Sequence, residues 1–338
     1  MTQKLRIGLM GLGQVGRQIY RLAMTDDRFD VVAISDIGQP EILTHLLNKT
    51  LNGNAVELKN NYLCNGSVNT RLMTADRPDE IPWDVFDVDM VIDATGKFRS
   101  MEELTPHLGN GARRVIVSTL PKGTVDRVIL YGVNNDTAVE SDLVVSAGSA
   151  STTATALALK IIGNQYQIEH ASMTSVHAYT SDQSLQDYAG EDYRRSRSGA
   201  ENIIPNMTPA LEWVQHALPA VKDRMTGYAL NVPVQTGSML DITVSLEDAP
   251  EDGETIKSLF AEAEKDAPQL VSTTADPIVS SDVKGSAASL LVDLAGSMKS
   301  GKKLFKLLAW HETLGHASRI LDVAALYQVL DAKGGAAA

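Results

Sequence analysis

The strongest constraint on this chain is a glycine-rich turn near its start. An apolar run at residues 5–10, LRIGLM, leads into Gly11, Gly13 and Gly16, spaced G-x-G-x-x-G. An amphipathic pattern follows from Gln14 to Met24, and a second apolar run, DVVAISD, closes on Asp36. Strand, glycine turn, helix and strand make a βαβ unit, the building block of a parallel sheet. Gly11 permits the tight turn, Gly13 lets backbone approach a pyrophosphate, and Gly16 allows close packing of helix on strand. Gln14 and Val15 open the helix, whose unsatisfied N–H groups and positive dipole end face the phosphates. Asp36, about twenty residues beyond Gly16, is placed to accept hydrogen bonds from the adenosine ribose hydroxyls. Its charge repels a 2′-phosphate, so NAD is expected in preference to NADP.

Further buried strands are expected at 90–95 (MVIDAT), 114–119 (RVIVST), 128–133 (VILYGV) and 142–147 (DLVVSA), with helical pattern between some of them, as at Glu102–Leu108. Alternating strands and helices imply a doubly wound α/β domain. The pattern changes after about residue 150. STTATALALKII reads as a helix and is followed by HASMTSVHAYT and a polar, charged loop. Strands of antiparallel style then come at TGYALNVPV, MLDITVSLE and LFKLLAW. The expected organisation is an α/β Rossmann domain over residues 1–150 and an α+β domain with a mainly antiparallel sheet over 151–317. The C-terminal helix of 318–338 returns to the first domain. A length of 338 residues suits two cores.

Charge decides which partners are excluded. Thirty basic residues against 42 acidic ones leave a net charge of −12, which repels nucleic acid on average while still permitting one local anion pocket. Cys64 is the single cysteine, so neither an internal disulfide nor a cysteine-built zinc site is expected. The first residues run into a strand pattern without a signal-peptide core. The longest uncharged stretch, Leu143–Leu159, is too polar and slightly short for a membrane span. These features lead to the expectation of a soluble, cytoplasmic protein without metal.

At this level of detail the chain resembles a known family, the phosphorylating glyceraldehyde-3-phosphate dehydrogenases with their erythrose-4-phosphate dehydrogenase relatives. IGLMGLGQVGR is similar to the family's INGFGRIGR opening, VVAISD to VVAVND, and DATGKF to its STGxF segment. RVIVSTLPKG and YGVNND resemble the ISAP and GVN segments, and TSVHAYTSDQ, DYRRSRSGAENIIPNMT and IVSSD have close counterparts in the second domain. The resemblance implies NAD contacts at Thr95, Gly96 and Ser118, a base at His177, and substrate or phosphate contacts at Thr152, Thr180, Asp182, Arg195 and Thr208. It also implies oxidation of a phosphorylated sugar aldehyde, with inorganic phosphate as a possible co-substrate, by a homotetramer.

Several positions depart from the family pattern. The family nucleophile is a cysteine in S-N-A-S-C-T-T-N; here AGSASTTA puts Ser151 at that position, preceded by Ala150 where the family has serine. WYDNExGY becomes WHETLGHAS, so Thr313 corresponds to the asparagine that holds the nicotinamide carboxamide. Asn231 corresponds to a phosphate-binding arginine, and Thr208–Pro209 to a threonine–glycine pair. A serine hydroxyl ionises far less readily than a thiol at a helix N-terminus, so attack by Ser151 depends on His177 taking its proton. Asn231 cannot supply the bidentate grip of a guanidinium. The reading expected is an NAD-dependent aldehyde dehydrogenase. The alternative is a catalytically impaired NAD- or metabolite-binding homologue with a regulatory or scaffold role.

Overall fold

The computed structural model describes residues 4–66, 68–180 and 183–334, which form two compact units. The first takes the residues up to Ser149 together with those from His316 onward; the second runs from Ala150 to Gly315.

The first unit is built on β1 (Leu5–Met10), β2 (Phe29–Ser35), β3 (Glu57–Lys59), β4 (Tyr62–Asn65), β5 (Val68–Met73), β6 (Met90–Asp93), β7 (Arg114–Val117), β8 (Arg127–Val128) and β9 (Val144–Ser146). They lie in the order β3-β4-β5-β2-β1-β6-β7-β9-β8. All neighbours from β5 to β8 pair in parallel, and only β3 and β4 add antiparallel pairing. Chain order reverses at β1, which has β2 on one side and β6 on the other. This is the switch point where a doubly wound sheet opens a crevice beyond the carboxyl ends of its strands. Helix α1 (Gln14–Ala23) buries Gly16, Ile19, Tyr20 and Ala23, a spacing that places one stripe on the sheet. Helix α2 (Pro40–Thr50) starts on proline at its first turn, where the missing N–H costs nothing.

Two sequence expectations change here. The helix expected at Glu102–Leu108 is two short ones, α3 (Met101–Leu104) and α4 (Pro106–Gly109). Pro106 has no N–H to continue the first. The strand expected at 128–133 stops at Val128. The Asn134 carboxamide accepts from Leu130 N–H and donates to Val128 O, and Gly132 adopts φ +90°, so a side chain closes a turn where apolar residues suggested a strand.

The second unit contains α5 (Ala150–Gly163), β10 (Ile168–Ala178), β11 (Ile204–Asn206), α6 (Ala210–Ala217), β12 (Met225–Val232), β13 (Ser238–Leu246), α7 (Glu254–Asp266), β14 (Val271–Thr274), β15 (Leu290–Ser300) and β16 (Leu304–His311). Its sheet has the order β11-β12-β10-β13-β16-β15-β14. Pairing is antiparallel except for β10 with β12 and β14 with β15. Strand β13 alternates buried and half-buried residues along its whole length, the signature of a sheet with one face on a core. The strands at TGYALNVPV and MLDITVSLE are not neighbours: β10 lies between them and runs parallel to the former. The final helix α8 (Thr313–Gly334) starts earlier than the expected 318.

Candidate functional site

In the first unit the glycine turn has the geometry its spacing implies. Gly11 sits at φ +91°, donates its N–H to Ser35 O at 2.8 Å, and has no room for a side chain, since a Cβ would lie 2.8 Å from Thr95 N. A Cβ on Gly16 would overlap Gly11 O, whereas one on Gly13 would meet nothing within 4 Å. Gly13 and Gln14 are exposed, Val15 is half-buried, and no side chain caps the start of α1. The helix N-terminus therefore presents unsatisfied N–H groups next to open space, as a pyrophosphate requires.

Asp36, just beyond β2, does more than the sequence suggests. Its Oδ2 accepts Leu12 N–H at 2.6 Å and its Oδ1 accepts Gly38 N–H at 2.8 Å. The carboxylate thus pins the glycine loop and still has lone pairs for a ribose diol. On the other side of β1, Thr95 follows β6 and turns inward. Both its N–H and its hydroxyl donate to Asp93 Oδ1, at 2.9 and 2.6 Å. Gly96 takes φ +68°. Ser118, beyond β7, donates its N–H to Asp93 O at 2.9 Å, and its own carbonyl accepts from His316 Nε2 at 2.7 Å. Burial holds the His316 imidazole below its ordinary pKa, outweighing that hydrogen bond, so it is neutral near pH 7. Open space at Gly13, an uncapped helix start and a carboxylate at the end of β2 together fit a dinucleotide.

In the second unit Ser151 lies in the first turn of α5, half-buried, with Thr152 and Thr153 buried behind it. His177 is the penultimate residue of β10. Its Nδ1 is 2.6 Å from Ala178 O, so Nδ1 carries the proton and Nε2 the lone pair of a base. The parallel register of β10 and β12 puts Asn231 directly beside His177. The His311 ring at the end of β16 meets His177 edge-on, centroids 6.0 Å apart. Two residues earlier on the same face of β10, the Ser175 hydroxyl is buried without a hydrogen-bond partner among the described residues.

The proposed anion residues are less concentrated. Arg195 is half-buried in a loop tied by two polar side chains: Asp192 accepts the Arg194 and Arg195 N–H groups, and Gln183 Nε2 donates to Arg195 O and Arg197 O. Arg197 is committed to Asp187 at 2.9 Å. Thr180 is exposed just beyond β10, and Thr208 accepts Ala210 N–H at the start of α6. Thr313 is the first residue of α8, where Glu312 Oε2 accepts Leu314 N–H. Asp182 lies outside the described residues. Asn231 and His311 stand beside His177 only because of strand register, which carries no local sequence signal.

Comparisons with known proteins fall on one family. The model for the NAD binding domain of glyceraldehyde 3-phosphate dehydrogenase matches residues 5–101, and that for the C-terminal domain matches 149–313. Glyceraldehyde-3-phosphate dehydrogenase from Geobacillus stearothermophilus is 33% identical over 328 residues, covering 95% of this chain and 97% of the relative. Glyceraldehyde-3-phosphate dehydrogenase 1 from Bacillus cereus is 31% identical over 327 residues, with 95% and 97% covered. The enzyme of that name from Haloarcula vallismortis is 32% identical over 339, with 96% and 98% covered. The chain belongs to the glyceraldehyde-3-phosphate dehydrogenase family.

Membership places it in a family of NAD-dependent oxidoreductases, with NAD as the cofactor of the domain matched over residues 5–101. Among the described residues no group of three or more His, Cys, Asp or Glu could hold a metal. No described helix is long and apolar enough to cross a membrane.

Proposed function

We propose that this chain is a cytoplasmic, homotetrameric dehydrogenase that oxidises a phosphorylated sugar aldehyde, with inorganic phosphate as the acceptor of the acyl group. The balance is aldehyde, NAD and phosphate giving acyl phosphate, NADH and a proton. Bound NAD supplies the hydride acceptor. Asp36 binds the adenosine ribose, the N–H groups of α1 bind the pyrophosphate, Thr95, Gly96 and Ser118 make further contacts with NAD, and Thr313 stands at the family position that holds the nicotinamide carboxamide. Ser151 stands at the family's nucleophile position. Its hydroxyl proton passes to His177 Nε2 as the oxygen adds to the aldehyde carbon, giving a hemiacetal; loss of that carbon's hydride to the acceptor leaves an ester, and phosphate then displaces Ser151, whose oxygen takes a proton back. Thr152, Thr180, Asp182, Arg195 and Thr208 hold anionic oxygens, with Asn231 a neutral donor where the family has a guanidinium.

The observation that carries this reading is the fixed tautomer of His177, whose Nδ1–H is held by Ala178 O and whose Nε2 is left as an acceptor. The test is NADH formation from glyceraldehyde 3-phosphate and erythrose 4-phosphate with phosphate, by the parent chain and by His177→Asn. Turnover that falls by about 10²-fold or more in the variant supports the assignment. Equal rates overturn His177 as base. No NADH from either aldehyde overturns the substrate class.

A further inference from the structure

At the far end of α5 from Ser151, a cavity of about 600 Å³ opens in the second unit. It lies among the last turn of that helix, the loop into β10 and the 3₁₀ turn Pro219–Val221 before β12. Its volume falls in the usual range of small-molecule sites, about 300–1,000 Å³. The length of the helix, roughly 18 Å, separates it from Ser151, so it is no part of the site built on His177. Its floor is apolar: Leu159 and Val221 are 1% and 2% exposed. Its rim is cationic. Lys160, Lys222 and Arg224 line it and no aspartate or glutamate does, in a chain whose acidic residues outnumber its basic ones by 42 to 30.

Two of these cations are uncompensated. Lys222 is exposed, and neither it nor Arg224 has an ion-pair partner among the described residues. Arg224 Nη1 donates to Ile168 O at 3.1 Å, which fixes one edge of the guanidinium and leaves Nε and Nη2 as donors. Glu169, next to the cavity in sequence, is engaged by Lys303 and Ser245. Tyr166 adds a half-buried aromatic ring to the wall. Neighbouring cations repel one another, and apolar walls open to water are better covered. Inorganic phosphate or a sugar phosphate answers only the charge, and an uncharged apolar molecule only the floor. We propose that this cavity binds a nucleoside monophosphate, with its phosphate between Lys222 and Arg224 and its base against Tyr166 and the floor of Leu159 and Val221. A phosphate monoester carries nearly two negative charges near pH 7, one for each uncompensated cation. Its base has a flat face that stacks on an aromatic ring. The inference is independent of the substrate reading given above.

The experiment titrates AMP calorimetrically into the full chain saturated with NAD, which occupies the adenosine seat of the first unit. The contact is located with 8-azidoadenosine 5′-monophosphate, photo-crosslinked and mapped by mass spectrometry. One AMP per chain is expected in the presence of NAD, with label on the segments 160–168 or 218–224. Adenosine and inorganic phosphate should each displace that label at least about tenfold less effectively than AMP. Lys222→Glu, at an exposed position, should raise Kd for AMP about tenfold or more, and Arg224→Gln, which keeps a donor for Ile168 O, about fivefold. Tyr166→Leu should weaken AMP and leave displacement by phosphate unchanged. A label confined to the first unit, or no AMP bound beside NAD, overturns the inference. Parent-like AMP affinity in folded Lys222→Glu and Arg224→Gln proteins also overturns it. Phosphate as effective as AMP overturns the assignment to a nucleotide. Should NAD itself fail to bind, the position of the crosslink still decides for or against this cavity, so the two failures are told apart.

Discussion

Gly13→Ala separates binding from folding more cleanly than any other single change in the glycine loop. Gly13 has φ −68° and ψ −160°, an extended conformation that alanine adopts without strain, and its Cβ would meet no atom within 4 Å. The folded state therefore accepts the methyl group, and the lower entropy of the unfolded chain should leave stability unchanged or raised by up to ~1 kcal/mol. The same methyl group occupies the space through which a pyrophosphate reaches the N–H groups of α1. Charge-assisted N–H···O bonds need about 2.7–2.9 Å, and each contributes roughly 1.5–3 kcal/mol. Loss of one or two of them predicts a penalty of about 2–4 kcal/mol, or roughly 30- to 700-fold in Kd. Calorimetric titration with NAD, paired with urea denaturation, measures both quantities. Parent-like NAD affinity in a stable Gly13→Ala protein would refute the close approach of backbone to phosphate. A large loss of stability would refute the open space.

Gly16→Ala should do the reverse in part, destabilising the first unit by about 1–3 kcal/mol because its Cβ would overlap a carbonyl oxygen that cannot rotate away; urea midpoints check this. The parent chain should bind NAD at least about tenfold tighter than NADP, and Asp36→Ala should bring the two within about threefold while weakening both, since Leu12 N–H and Gly38 N–H lose their acceptor. Ser151→Cys should gain a thiol that reacts with iodoacetamide, yet NADH production from glyceraldehyde 3-phosphate should stay well below the usual enzymatic range of about 1–10³ s⁻¹, because Asn231 and Thr313 also depart from the family; turnover within that range would refute a wider divergence. His316 is buried in its neutral form, with its folded pKa below the unfolded one. Its contribution to stability is therefore complete above about pH 6.5 and lost as pH falls below it. His316→Gln, which retains a donor for Ser118 O, should flatten the stability profile between about pH 7 and 5 in denaturant titrations.

The first βαβ unit was legible because its signals are local: β-branched runs, three spaced glycines, and an acidic residue at the right distance. What Asp36 does to Leu12 was not, because that bond spans 24 residues and depends on how β2 lies beside β1. The false strand at 128–133 shows the limit of apolar runs, since one asparagine side chain supplies the hydrogen bonds that a neighbouring strand would have given. Helix α7 and strand β15 passed unnoticed because neither carries a motif, although ETIKSLFAEAEKD buries Ile256 and Phe260 at helical spacing. Trp83 Nε1–H donates to His107 Nδ1, whose ring faces Asp93, a relation that no sequence signal carried although Asp93 opens the DATGKF match. Their relation is set by the packing of β6 against the segments that flank it, and a lone tryptophan or histidine in an apolar stretch is ordinarily core. In the second unit the match of TSVHAYT pointed to His177. The resemblance also singled out Asn231, but that Asn231 and His311 stand beside His177 emerged only from the structure.

The order in which the chain is made gives the last helix a particular importance. Arg114, at the start of β7, is 3% exposed, and its guanidinium bonds to Asp142 O, Glu140 O and both carboxylate oxygens of Asp331, 217 residues downstream. Tyr327, with no exposure, donates to Asp142 Oδ2 at 2.7 Å. While a ribosome is still adding the second unit, the first already has all its strands but lacks the partners of these groups. A buried guanidinium without its carboxylate is costly, and the apolar face that Ile320, Val323 and Ala324 later cover stays open to water. Translation at about 5–20 residues per second leaves that face uncovered for roughly ten seconds or more. Nascent chains halted near residue 310 should therefore be sensitive to protease and bound by chaperones, and become resistant only once α8 has left the exit tunnel. In this fold the dinucleotide domain begins first and is completed last.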